Sequence, residues 1–168
     1  MRLPADLRRA LPYDVVMITQ ENYAIAREVY HTNPAYFEYF DKVADDDSIL
    51  SAISAVPEGF DIEDKLFAAF CEDGMAVAVV DLLAGYPTAA DLWIGLILVH
   101  GDFRRTGIGA GIVSGILQAA RAAGFDAIHL GVIKANEGVQ RFWEKIGFVY
   151  ERESGDYLVF KRSVHESI

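Results

Sequence analysis

The residues with the plainest chemical purpose lie between Val99 and Gly111, where Arg104, Arg105, Gly107 and Gly109 stand at the junction of an apolar, β-branched run and a helix-period run. A helix opening at such a junction exposes unpaired N–H groups and the positive end of its dipole, which together attract anions. Gly107 and Gly109 clear side chains from the backbone, Arg104 and Arg105 add positive charge, and Thr106, Ile108 and Ala110 supply further amides. The chemistry on offer is the grip on a diphosphate. Neither the G-x-x-x-x-G-K-[ST] spacing of a nucleotide P-loop nor G-x-G-x-x-G with an acidic residue about 20 positions later is present. A glycine-rich helix start that only packs closely on a sheet is the alternative.

A second segment, from Asn136 to Phe148, reads N-E-G-V-Q-R-F-W-E-K-I-G-F and follows another buried-strand pattern. Together with R-x-x-G-x-G (Arg104, Gly107, Gly109) it resembles the acyl-CoA-binding elements of the GNAT superfamily of N-acetyltransferases. The resemblance covers residues 89–160, and the N-terminal half agrees in element order only. It implies acetyl-CoA as cosubstrate, with its pyrophosphate on the 104–110 loop and its pantetheine arm beside Asn136 and Trp143. It also implies that backbone groups of Leu98 and Val99 pair with the pantetheine amides.

The family's customary catalytic positions are less well met. Many relatives carry a glutamate six residues before the valine that opens the cradle, and a tyrosine seven residues after the asparagine. Here those positions are Trp93 and Trp143, the two tryptophans of the chain. An indole N–H donates a hydrogen bond and exchanges no proton at neutral pH. Three explanations stay open. Other groups do the proton work, with Asp81 and Tyr86 the preferred pair and Asp91, Tyr36 and Asn33 as further candidates. Orientation of an already activated thioester suffices. Or Trp93 and Trp143 line an aromatic site for a cationic group. Asn33, Tyr36 and Trp93 are the expected substrate contacts.

Bulk properties narrow the classes. A chain of 168 residues, 52% hydrophobic and 12% aromatic, suits one globular domain (residues 1–168) and excludes disorder. Net charge is −10, from 25 acidic and 15 basic residues, which argues against a nucleic-acid groove. Residues 41–64 hold Asp41, Asp45, Asp46, Asp47, Glu58, Asp61, Glu63 and Asp64 against Lys42, a balance suited to attracting a cationic amine or simply to a solvated loop. No apolar run reaches a membrane span, and no apolar signal-peptide core precedes the first strand. Cys71 is the lone cysteine and reads as a small buried hydrophobe in a reducing cytoplasm. His31, His100, His129 and His165 lack metal-ligand spacing, and Ser114 lacks a nucleophile elbow. Lys134, Arg141 and Lys145 are either contacts for the adenosine phosphate or solvated charges.

Elements must then position these residues. Patterning predicts strands at 13–19, 65–71, 75–83, 91–99, 127–133, 147–153 and 156–162, with a tight hairpin at Asp73-Gly74. Helices are predicted from about Glu21, from Pro34 to about Ala44, and at 47–54, 107–123 and 136–146. Gly107, Gly111 and Gly115 at four-residue spacing suggest close helix–sheet packing. The order predicts an α/β fold: a mixed, mostly antiparallel sheet with helices on both faces. The resemblance adds seven strands, splayed between the fourth and fifth, and terminal strands of the kind that pair in a homodimer. The expected function is transfer of acetyl from acetyl-CoA to a primary amine of a small molecule, cationic ones among them, by direct attack in a ternary complex. A CoA-binding module without catalysis and a peptide or protein N-acetyltransferase are the alternatives.

Overall fold

A computed structural model describes residues 2–166. Seven strands, β1 (Asp14–Met17), β2 (Lys65–Glu72), β3 (Met75–Ala84), β4 (Asp91–Val99), β5 (Ala127–Ile133), β6 (Val149–Ser154) and β7 (Tyr157–Ser163), form one sheet in the order β1-β2-β3-β4-β5-β7-β6. The pairing of β4 with β5 is parallel and every other pairing is antiparallel. The helices are α1 (Leu3–Ala10), α2 (Arg27–His31), α3 (Pro34–Glu38), α4 (Asp46–Ser54), α5 (Ile108–Ala123) and α6 (Glu137–Lys145). Both faces of the sheet are covered. One cluster joins Leu3, Leu7, Ile112, Ile116, Leu130 and Phe160 under α1 and α5, and a second joins Val29, Tyr30, Phe37, Ile49, Phe67 and Leu98 under α2 to α4.

Local chemistry explains most boundaries. Asp73 and Gly74 both take positive φ, 51° and 80°, as a two-residue hairpin that follows the strand twist requires. Asp45 caps α4 by accepting the Ser48 N–H at 3.0 Å. Gly124, at φ 93°, closes α5 by donating to the Ala120 and Arg121 carbonyls.

Three expectations need correction. The helix from Pro34 stops at Glu38, because Asp41 turns to φ 52° and Lys42 N–H bonds back to the Phe37 carbonyl at 3.0 Å. The segment from Glu21 forms a 3₁₀ turn at Tyr23–Ala26 before α2 begins. Helix α1 is an element that patterning does not predict. Leu3, Leu7 and Leu11 recur at helical spacing and are buried, but the charged Arg2, Asp6, Arg8 and Arg9 blur the apolar stripe.

That helix explains Gly115. A Cβ added at Gly115 would lie 2.2 Å from Leu11 Cδ2 and 2.6 Å from its Cγ, so the glycine admits the end of α1 rather than the sheet. Gly111, by contrast, faces open space. Gly115→Ala is therefore expected to destabilise the fold by about 1–3 kcal/mol through overpacking. A lowered urea midpoint with an unchanged slope would show it; an unchanged midpoint would mean that α1 docks loosely.

Candidate active site

Strand β4 is the element around which the site is built. It pairs with β5 only from Asp91 to Ile94, opposite Ala127 to Leu130, although both strands run on. Beyond Ile94 the two diverge. Within the gap lies a cavity of about 170 Å³ lined by Gly95, Ile97, Leu130, Val132, Asn136, Phe142 and Trp143, among others. On its other edge β4 carries a bulge: Asp81 of β3 pairs with Leu96 and Leu82 with Ile94, so Gly95 has no partner. The bulge sets Gly95 against Asp81, whose carboxyl carbon lies 3.7 Å from where a Cβ would sit.

Backbone polarity in the gap follows from the ladder. His100 N–H donates to the Val77 carbonyl at 2.8 Å, so by antiparallel alternation Leu98 turns its polar groups to β3 while Ile97 and Val99 turn theirs to the gap. Ile97, which sequence reasoning missed, thus takes the place expected for Leu98. The Val99 carbonyl is already occupied, accepting from Asn33 Nδ2 at 2.8 Å. Asn33 is buried, donates also to the Val29 carbonyl at 2.8 Å, and lines neither the gap nor the larger cavity described below. It ties the α2–α3 turn to the end of β4, where a substrate contact was expected.

Beyond β4 the chain makes a 3₁₀ turn at Gly101–Phe103 and then the loop 104–107. Arg105 and Gly107 take φ of 64° and 82°, and no side chain caps α5. Arg104, Arg105, Thr106 and Gly107 are exposed. The amides at the start of α5, those of Ile108, Gly109 and Ala110, therefore open to solvent, as an anion cradle requires. Arg104 leans back, its Nη1 3.5 Å from Asn33 Oδ1, and the Thr106 hydroxyl donates to the Phe103 carbonyl. At the gap's other lip Asn136 Oδ1 caps α6 by accepting the Val139 N–H at 3.2 Å.

Beside the gap, under α3 and α4, lies a larger cavity of about 800 Å³. Tyr36, Phe40, Ile94, Gly95, Leu96 and Gly131 line both spaces, so the two adjoin. Its wall is aromatic: Tyr86 meets Trp93 edge to face at 5.1 Å and Phe60 at 5.6 Å, and Phe40 lies 6.2 Å from Tyr157. Gly131 makes room for that wall, since a Cβ there would touch Trp93 and Tyr157 at 3.5 Å each. The two tryptophans do not share a cage. Trp93 faces this cavity, whereas Trp143 is buried at the gap between Phe142 and Phe148.

Asp81 reaches the cavity, and Lys65 meets it there. Lys65 Nζ donates to Asp81 Oδ2 at 2.8 Å and to the Ala55 carbonyl at 2.7 Å, with its side chain almost fully buried. Burial lifts the Asp81 carboxyl above its ordinary range, and Lys65 pulls it partly back. Tyr36 is pushed well above the usual phenol range, chiefly by burial, so its hydroxyl keeps its proton and serves as a donor. Lys65 escaped sequence analysis; its signal was a lone cation opening an otherwise apolar strand. Asp91, the further acid candidate, lies elsewhere, held by Thr88 at 2.7 Å and 3.4 Å from His129.

Half of the eight carboxylates in the acidic 41–64 segment have structural roles. Asp46 pairs bidentately with Arg27, Asp45 caps α4, and Asp61 and Asp64 cap the turn at Ile62–Asp64.

The geometry matches known proteins. The model of the acetyltransferase (GNAT) family matches residues 20–148. An acetyltransferase from Thermus thermophilus superposes with a TM-score of 0.75 at 21% identity, over 92% of this chain and 98% of that one. The PaiA N-acetyltransferase from Thermoplasma acidophilum, solved with coenzyme A, superposes at 0.64 with 16% identity, over 91% and 99%. The ribosomal-protein-S18-alanine N-acetyltransferase from Escherichia coli superposes at 0.65 with 12% identity, over 92% and 95%. No curated protein matches the chain in sequence. At such identities the solved structures speak to the fold, and the family model, spanning most of the chain, speaks to kinship: the protein belongs to the GNAT acetyltransferase family.

Proposed function

We propose that this acyltransferase moves acetyl from acetyl-CoA to a primary amine of a small molecule, in a ternary complex with direct attack. The observation that carries the reading is the place of Asp81, at the β3–β4 bulge on the wall of the aromatic cavity that adjoins the β4–β5 gap. The uncapped start of α5 fits a diphosphate, and the gap fits a narrow arm lying against Ile97 and Asn136. Acetyl-CoA bound there supplies an activated thioester.

Asp81 accepts one proton from the acceptor's ammonium, which frees the nitrogen lone pair. The C–N bond forms, the C–S bond breaks, and the nitrogen gives up its second proton. The sulfur takes one proton, so the sum is amide, thiol and one released proton. Tyr36, a protonated phenol lining both spaces, donates toward the reacting groups. Tyr86 lines the same cavity as Asp81, and its ring is held by edge contacts with Trp93 and Phe60. A reducing cytoplasm, where Cys71 stays a buried free thiol, suits this chemistry.

The test is release of free thiol from acetyl-CoA in the presence of polyamines, aminoglycosides, amino acids, arylalkylamines and peptide N-termini. Turnover of a small amine is the expected result. Turnover confined to peptides would move the acceptor class to protein, and tight acetyl-CoA binding with no thiol release from any of them would favour a CoA-binding module.

A further inference from the structure

We infer that the acceptor carries an anionic group, a carboxylate in its simplest form, held by Arg152 and Lys42 on the far side of the cavity from Asp81. The inference rests on the acetyltransferase reading above and names the acceptor's second functional group.

The cavity is lined by three cations, Lys42, Lys65 and Arg152, and three carboxylates, Asp45, Asp47 and Asp81. Three of these six are already engaged, while the carboxylate of Asp47, exposed on α4, has no side-chain partner among the described residues. Lys65 and Asp81 hold each other, and Asp45 caps α4. Among the described residues, Lys42 and Arg152 have neither a salt bridge nor a side-chain hydrogen bond, although the chain carries 25 acidic residues against 15 basic ones. Neighbouring basic residues are satisfied: Lys134 meets Glu153 at 3.0 Å and Lys161 meets Glu151 at 3.9 Å. Both are exposed at the rim of the cavity, and among the described residues Arg105, Arg121, Arg141 and Lys145 are also exposed without an ion pair; what sets Lys42 and Arg152 apart is that they line one cavity, where a single anion can meet both.

Their placement defines a distance. Arg152 of β6 pairs with Val159 of β7, which pairs with Gly131 of β5, and all three line the cavity. Two strand spacings, ~10 Å, thus separate Arg152 from the strand that borders the gap. Lys42 follows Phe40, whose ring lies 6.2 Å from Tyr157 of β7, so it approaches from the α3–α4 turn toward the same side. Aromatic walls from Trp93, Tyr157 and Phe40 lie between that side and Asp81. Asp81 stands on β3, two strands beyond β5, so four spacings, ~19 Å, separate its backbone from that of Arg152, and the reach of the two side chains shortens the span left for an acceptor. An amine joined to a carboxylate by an extended apolar spacer satisfies both ends, and a guanidinium matches a carboxylate in bidentate fashion. A purely polycationic acceptor would meet Arg152 and Lys42 with like charge.

The experiment compares matched amines that differ only in the carboxylate: 4-(aminomethyl)benzoate against benzylamine, and 6-aminohexanoate against hexylamine, with thiol release as readout. The wild-type protein is expected to favour the carboxylate member by about tenfold or more in kcat/KM, the scale of a charge-assisted hydrogen bond. In Arg152→Glu that preference should collapse toward one or invert, and Lys42→Glu should reduce it. Arg121→Glu, the same charge change on exposed α5 surface, should keep the wild-type preference. Equal use of both members by the wild type, or an equal collapse in Arg121→Glu, overturns the inference while leaving the acetyltransferase reading intact. If no amine is turned over, that reading fails and the anion site is judged by binding alone. Calorimetric titration with 4-methylbenzoate in the presence of coenzyme A should then show binding that Arg152→Glu weakens by about tenfold. Absence of wild-type binding overturns the site.

Discussion

Gly109→Glu is expected to weaken acetyl-CoA binding by roughly a hundredfold, about 3 kcal/mol, because it sets a carboxylate beside a doubly charged linker. The fold has room for the change. A Cβ at position 109 would touch Phe142 and Val99 at 3.7 Å, which is ordinary contact, and Gly109 takes no positive φ. The loss should therefore fall on affinity, with thermal stability held. Gly109→Ala, which adds no charge, should bind acetyl-CoA within a fewfold of wild type. Isothermal calorimetry separates the two variants. An affinity that Gly109→Glu leaves intact would mean that the start of α5 holds no diphosphate.

The second large effect concerns Asp81. Asp81→Asn should lower kcat by about 10²–10⁴-fold, the range for removing a positioned base. Acetyl-CoA affinity should be unchanged, since Asp81 lines the acceptor cavity and not the gap. The pH dependence gives an independent check. Only the ionised carboxylate accepts a proton, so activity should rise with pH through the Asp81 ionisation and be lost as pH falls below it. Burial lifts that ionisation above the ordinary carboxylate range, and Lys65 opposes the lift. The acidic limb of kcat/KM should therefore lie higher than for a free carboxylate, and it should vanish in Asp81→Asn. Lys65→Met removes the opposing cation and should displace the limb to still higher pH. An acidic limb that persists in Asp81→Asn would assign the base elsewhere.

How much of this is legible in the chain differs between the two halves of the site. The proposed diphosphate cradle is readable because its groups are contiguous: Arg104 to Gly107 form one loop, and Ile108 to Ala110 open α5 directly after it. Strands 91–99 and 127–133 are placed to the residue, since both are apolar runs with clear ends. Asn33 is misread because its role depends on Val99, 66 positions away, and Asn is as common in substrate sites as in buried ties. Leu98 is chosen over Ile97 because the ladder phase that orients backbone groups is invisible without the partner strand. The acidic segment reads as an electrostatic lure or a solvated loop, and half of its eight carboxylates cap helical turns or pair with Arg27.

What the residues determined by themselves is the uncapped, glycine-cleared start of α5, the half of the site proposed for the cofactor, because local spacing and helical backbone geometry suffice to make it. Tertiary structure alone decided the acceptor half. Its walls come from α2, α3, α4, β2, β3, β4, β5, β6 and β7, and a bulge at Gly95 sets where Asp81 stands relative to the gap. Side chains that meet only after distant strands have paired leave no periodic trace in the chain, because no local force requires them to be neighbours.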